Sequence, residues 1–303
     1  MRVLVTGASG MIGSAMCDSL LARGEEVAGL SRDPARGRRT NPTVSWHAWD
    51  PAVERPPEAA FEGVDAVVNL IGEDLNQRLT AEAKHRIHES RVRATKNLVD
   101  GMIGARQPPG VLVSQCGTGY YGDRGDSILD ESAPPGNDWV AQLCADWEAE
   151  ALAAAQAGIR VCVFRSAPVL DPGSGLLKQL VLPFKLGVGG PIAGGRHYLP
   201  WIHRDDEVGL FLWALAEEQA SGSLNASAPN PVTNREFSKA LGTVLRRPAF
   251  APIPKLAVAA LRGPELTETV VTASQRAVPR RALDLGYEFR FTEIEPALRD
   301  LLR

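Results

Sequence analysis

The sequence predicts an α/β protein, a doubly wound parallel sheet with a smaller C-terminal domain. Three observations predict it. An apolar run of strand type, Val3-Leu4-Val5, leads into a glycine-punctuated turn and then a helical stretch. Strand-length apolar runs then alternate with helical patterns as far as Arg165, which is the signature of parallel strands joined by right-handed crossovers. Beyond residue 170 the alternation weakens. The expected division is a dinucleotide-binding domain over 1–169, to which 203–227 returns, and a smaller substrate domain made of 170–202 and 228–303.

The opening turn carries Gly7, Gly10 and Gly13 at GxxGxxG spacing. One glycine takes backbone angles closed to other residues, a second lets the chain approach a pyrophosphate, and the third lets the helix lie close on the strand. The helix beginning at Met11 adds free backbone N–H groups and the positive end of its dipole, which suit an anion. Gly7, Ser9, Gly10, Met11, Ile12 and Gly13 are therefore the candidate cofactor residues of the turn.

Glu26–Leu30 reads as the second strand, closed by Ser31-Arg32-Asp33. In an NAD-selective site a carboxylate stands here, roughly 20 residues beyond the glycines, to hold the ribose 2′-hydroxyl. Ser31 occupies that place and Arg32 follows, and a guanidinium pairs with a 2′-phosphate. This pattern favours NADP. Asp33 runs against it, and the alternative is a solvated basic loop that also includes Arg36, Arg38 and Arg39. Val44–Trp49 is the third strand and Pro51–Pro57 a loop. Val64–Ile71 is the fourth, and its carboxyl end, Asn69-Leu70-Ile71-Gly72-Glu73, lies where doubly wound folds bind ligands. Asn69, Leu70 and Gly72 are counted with the cofactor, with Asn69 and Glu73 open between ligand contact and plain turn.

A long helix is expected from Thr80 to about Ile103, with Ile87, Ala94, Leu98 and Met102 on its apolar stripe. Arg91 falls on that stripe. A core-facing arginine needs an anionic or carbonyl partner, either an inner carboxylate or a ligand. Val111–Cys116 is the fifth strand, running into Gly117-Thr118-Gly119-Tyr120-Tyr121-Gly122-Asp123, a turn that holds two of the four tyrosines. They are either rim packing or proton donors to a substrate. A helix capped by Asn137 or Asp138 runs to about Ala157, and Ile159–Arg165 is the sixth strand, with Arg165 at its carboxyl end a further cofactor candidate. Leu176–Leu186 reads as helix, a helix after Trp201–Asp206 runs through Ala216, and Asn225–Thr233 reads as polar turn. His203, just before that helix, is a weaker catalytic candidate, because such a histidine is more often structural.

Composition excludes several classes. A net charge of −3 over 303 residues offers no general attraction to nucleic acid or anionic membrane. The four cysteines, Cys17, Cys116, Cys144 and Cys162, are far apart and show no metal spacing, so reduced buried thiols in a cytoplasmic protein are expected. A strand starting at residue 2 leaves no room for a signal peptide, and no apolar run approaches the ~20 residues of a membrane span. The oligomeric state stays open.

Thr6–Gly13 together with Asn69–Glu73, Ser90-Arg91-Val92, Thr118–Asp123, Trp147-Glu148, Leu186–Pro191 and Trp201–Asp206 resembles the extended short-chain dehydrogenase/reductase superfamily. The nearest likeness is its atypical branch of NAD(P)-dependent sugar-nucleotide epimerases. Ser274–Pro279 followed by Leu285–Phe289 is similar to that branch's own C-terminal domain. The resemblance implies hydride chemistry in which a Ser or Thr, and a Tyr and Lys four residues apart, act on the substrate oxygen. On this chain the hydroxyl position falls near Gly117, with Thr118 and Cys116 as its neighbours, and the tyrosine falls on Trp139 and the lysine on Leu143, neither of which can do that work. The candidates that remain are Tyr121 or Tyr120 as proton donor, Arg91 to bind an oxyanion or lower the tyrosine pKa, and Thr118 to orient a small carbonyl or hydroxyl substrate. The alternative is an NADP(H)-binding redox sensor that has lost catalysis.

Overall fold

A computed structural model describes residues 1–303. Seven parallel strands form the main sheet: β1 Arg2–Thr6, β2 Glu26–Ser31, β3 Ser45–Ala48, β4 Ala66–Asn69, β5 Val111–Gly117, β6 Arg160–Ser166 and β7 Gly222–Ala226. Their spatial order is β7-β6-β5-β4-β1-β2-β3, so the chain starts in the middle and builds outward to both sides. The order reverses between β1 and β4, where Thr6 stands beside Asn69. That crevice is where a doubly wound sheet binds its ligand.

Helices cover both faces: α1 Met11–Ala22, α2 Pro34–Thr40, α3 Ala81–His88, α4 Ala94–Gly104, α5 Trp139–Leu152 and α7 Arg204–Ala216, with α6 Gly175–Lys185 and α8 Asn234–Leu245 outside the sheet layers. The central strand shows why its sequence is continuously apolar. Val3 and Val5 belong to one core with Met16 and Leu20 of α1 and Phe211 of α7, while Leu4 belongs to the other with Leu98 and Met102 of α4 and Trp147 of α5. Successive side chains leave opposite faces, so both alternations must be apolar. A third core, including Leu177, Trp201, Phe237 and Leu298, joins α6, α8 and the C-terminal helix Ile294–Leu301.

Three local readings are corrected. The basic stretch after Arg32 is a helix, because Pro34 fixes its first turn and the Asp33 carboxylate caps it, accepting from Arg36 N at 3.0 Å. Asp33 is thus a capping residue, its carboxylate engaged with the first turn of α2. The long helix expected over 80–103 is continuous but changes pitch at Glu89–Arg93, a π-helical turn that carries Arg91. Residues 222–226, partly read as polar turn, are the seventh strand; Asn225 is fully buried because its amide donates to Leu129 O and Val278 O and its carbonyl oxygen accepts from Tyr121. Leu224 and Ala226 bury one face of that strand in the core, and hydrogen bonds bury its polar Asn225. His203 is a helix cap: its Nδ1 accepts from Asp205 N at 3.0 Å and its ring stacks on Phe291.

Candidate functional site

The glycine turn is set by contacts that admit no side chain. Gly7 has φ +63°, and a Cβ there would stand 2.6 Å from Leu70 O. A Cβ on Gly13 would lie 2.1 Å from Gly7 O, so α1 and β1 are as close as backbones come. Gly10 precedes α1 without a capping side chain, which leaves the first N–H groups of the helix open. Ser9 is exposed on the same turn. Ser31 Oγ accepts from Asp33 N at 3.1 Å, and Arg32 is exposed beside it at the end of β2.

A cleft of about 580 Å³ opens over the carboxyl ends of the strands. Met11 and Ile12 of the turn form one end, Leu70 to Leu75, Gln115 to Gly119 and Ser166 to Val169 the floor, and Leu143, Cys144 and Trp147 of α5 one side. Leu199, Thr269, Ala273 and Gln275 close it from the C-terminal part.

Arg91 lines this cleft from the π turn. Its guanidinium lies 5.2 Å from the centre of the Trp147 ring and against Gly72, where a Cβ would come within 3.1 Å of Cζ. Nη1 is buried and has no hydrogen-bond partner. Burial lowers the guanidinium pKa from its ordinary value, with distant relief from Glu73 and Asp74. No carboxylate pairs with it: Glu73 accepts instead from Gln77 and Arg86. A cation stacked on an aromatic face with one N–H group unsatisfied is a ready anion contact. Thr118 also lines the cleft.

Four of the expected residues lie elsewhere, each for a physical reason. Tyr121 is fully buried behind the floor, donating to Asn225 Oδ1 at 2.7 Å and accepting from Arg165 Nη1 at 3.0 Å. Burial pushes its hydroxyl up to about 12. Tyr120 stands edge-on to Tyr121 and lies 3.5 Å beneath the Arg165 guanidinium. Arg165 makes a two-pronged pair with Glu148, both bonds 2.8 Å, and neither residue reaches the cleft. Asn69 is equally enclosed: its Oδ1 accepts from Thr6 at 2.7 Å and its Nδ2 donates to Thr95 and Ser114, which ties β1, β4, α4 and β5 together at the crevice. The tyrosines and Arg165 therefore hold the floor, and Asn69 holds the switch point.

Sequence reasoning missed Ser166 and the floor around Cys116 and Cys144. The Cys116 thiol donates to the Cys144 carbonyl at 3.4 Å, and burial raises its pKa. Their position just after the apolar runs of β5 and β6 was the available signal. Leu143 faces the cleft, while Trp139 packs with Ile87 beside it.

The residues present fit a dinucleotide on two structural grounds: a cradle that Cβ atoms would fill, and an open helix start facing the cleft. Residues 3–226 match the NAD dependent epimerase/dehydratase family, and residues 253–301 match a domain of unknown function (DUF1731). The chain is 38% identical to epimerase family protein SDR39U1 of Bos taurus, covering all of both chains. It is 36% identical to the chloroplastic SDR39U1 homolog of Arabidopsis thaliana, covering all of this chain and 87% of that one. Among solved structures it resembles human SDR39U1 (isoform2) with NADPH, with a TM-score of 0.87 and 35% identity over 99% of each chain. No helix is long and apolar enough to cross a membrane. The chloroplastic relative leaves cytoplasmic residence unsupported by kinship. With its glycine turn, seven-stranded sheet and C-terminal domain in place, the chain belongs to the NAD dependent epimerase/dehydratase family.

Proposed function

We propose that the chain is an NADP(H)-dependent, epimerase-like oxidoreductase acting on a small carbonyl or hydroxyl compound that carries a carboxylate or phosphate. The observation that carries this reading is Arg91, an unpaired guanidinium in the cleft with a buried, unsatisfied Nη1. Met11, Ile12 and the Gly7–Gly13 turn would hold the pyrophosphate, and Ser31 and Arg32 the adenosine 2′-phosphate. When bound, the nicotinamide supplies or accepts hydride. Arg91 fixes the substrate's anionic end and Thr118, on the floor of the same cleft, meets its carbonyl or hydroxyl group, so that the reacting carbon is held in one orientation. The NADPH of the human relative supports the cofactor.

NADPH absorbance with a panel of 2-oxo acids and sugar phosphates, each paired with a neutral analogue, tests the reading. Turnover is expected only with anionic members, and Arg91→Met is expected to raise KM about 10- to 100-fold, the worth of one charge-assisted hydrogen bond. Equal turnover of neutral analogues would sink the role of Arg91. For the cofactor, Arg32→Ala is expected to weaken NADPH about 10- to 100-fold in a fluorescence titration while leaving NADH unchanged.

A second reading, an NADP(H)-binding sensor without catalysis, is favoured by one observation: Leu143, an alkyl side chain, lines the cleft where the resemblance puts a lysine. Tight NADPH binding with no turnover across the panel would support it over the first.

A further inference from the structure

The loss of the usual tyrosine and lysine leaves open which group delivers a proton in the cleft. Neither Tyr120 nor Tyr121 lines it, and the fifth-strand position that ordinarily bears a hydroxyl is Gly117. Gly117 is paired in register with Ser166 of β6, and Ser166 lines the cleft. Behind Ser166, on α7, is Glu207. Its carboxyl is fully buried, Oε1 is 2.6 Å from Ser166 Oγ, and Oε2 has no hydrogen-bond partner.

A carboxylate in that setting would be a buried charge with one oxygen unsatisfied, and no cation compensates it. A neutral carboxylic acid meets no such penalty. It donates through Oε1 to Ser166 Oγ, which frees the serine's single hydrogen for an acceptor in the cleft. Resting on the cofactor reading above, we propose that Ser166 donates the proton to the substrate oxygen and that Glu207 is the proton store behind it.

In the reductive direction the carbonyl carbon accepts hydride from NADPH and the carbonyl π pair moves to oxygen. That oxygen takes the Ser166 proton, Ser166 takes the Glu207 proton, and Glu207 is left as carboxylate until cleft water returns a proton by the same route. Carbonyl, NADPH and one proton become alcohol and NADP⁺. Ser166 is the catalytic residue in this scheme, and Glu207 acts through it.

The surroundings of Glu207 agree. Burial pushes it up to about 8, and the Ser166 hydroxyl opposes that rise. Elements against α7 present Cys17 and Asp18 on α1 and His203 just before α7, and the C-terminal segment presents Tyr287 and Arg290. Burial raises Cys17 to about 12 and Tyr287 above its ordinary value, and it lowers His203. Arg290 is engaged with Asp205 and Asp206. Arg160, Cys162 and Arg165 complete the titratable set on β6; Arg165 is committed to Glu148 and Arg160 to the carbonyls of Ala214, Leu215 and Ala220.

The test needs no substrate. NADP⁺ carries a positive ring and NADPH a neutral one, so ionised Glu207 one hydrogen bond from the cleft favours NADP⁺ selectively. Dissociation constants of both nucleotides are measured from pH 6 to 9.5 by NADPH fluorescence and competition. The preference for NADPH over NADP⁺ is expected to fall about tenfold as pH rises through Glu207's ionisation. Glu207→Gln should abolish that step. Ser166→Ala should move it to higher pH, because the ionised carboxylate loses the hydroxyl donor that favours it over the neutral acid. A pH-independent preference in the wild-type protein, or a step that persists in Glu207→Gln, overturns the relay while the cofactor reading stands. Failure of both nucleotides to bind at any pH overturns the cofactor reading and the relay with it. If Glu207→Gln does not fold, the shift of the step in Ser166→Ala makes the assignment, and the absence of a step in the wild-type protein overturns the relay without any variant.

Discussion

Gly13→Ala is expected to weaken NADPH binding by about 100-fold or more, measured by fluorescence titration. The new methyl would lie 2.1 Å from Gly7 O and 2.8 Å from Ala8 Cα, and both neighbours are backbone that cannot swing aside. Either α1 retreats from β1 or the Gly7 turn moves. Each displaces the N–H groups of Met11 and Ile12 from a bound pyrophosphate. Two charge-assisted hydrogen bonds at roughly 1.5–3 kcal/mol each account for a loss of that size. Gly104→Ala is the control, since a Cβ there meets nothing within 4 Å and the residue lies at the far end of α4. Unchanged affinity in Gly13→Ala would mean that the turn is not the cofactor cradle.

Arg165→Met is expected to lower unfolding stability by about 3–5 kcal/mol in urea, because it strands the buried Glu148 carboxylate. Glu148 would keep only the Ser223 hydroxyl at 2.8 Å, and Tyr121 would lose its donor. The double variant Arg165→Met with Glu148→Met should recover much of the loss, since two apolar side chains leave no unpaired charge. NADPH affinity of the folded single variant should stay near that of wild type. A selective loss of affinity at unchanged stability would restore Arg165 to the cofactor site and remove it from the floor.

The fold was legible wherever apolar side chains carry it. Val3 to Val5, Val64 to Ile71 and Val111 to Cys116 declare themselves because both faces of a central strand need covering. β7 was hidden for the opposite reason: Ser223 and Asn225 are polar, and their burial depends on partners as distant as Glu148, Leu129 and Val278. The site divides the same way. The glycine turn is a local backbone matter and reads directly, as does Arg91, whose place on an apolar stripe marked it as needing a partner. The tyrosine pair misled because a strand-end loop has two sides, and which side a ring takes is decided by Arg165 and Asn225, residues 44 and 104 positions away. Ser166 gave no sign of its own, because its distinction comes from Glu207, 41 positions later.

The position of β1 at the centre of the sheet sets the order in which this molecule can be assembled during synthesis. The first strand made is the one on which the others are laid: β2 and β3 extend one side, then β4, β5, β6 and β7 the other, each joining an edge that already exists. The glycine turn is in place early, but Gln275 and the other C-terminal residues that close the cleft emerge only after the sheet's last strand. A chain made only as far as β7 lacks one wall of the cleft, so ligand present during translation is expected to meet an open site until Gln275 has emerged.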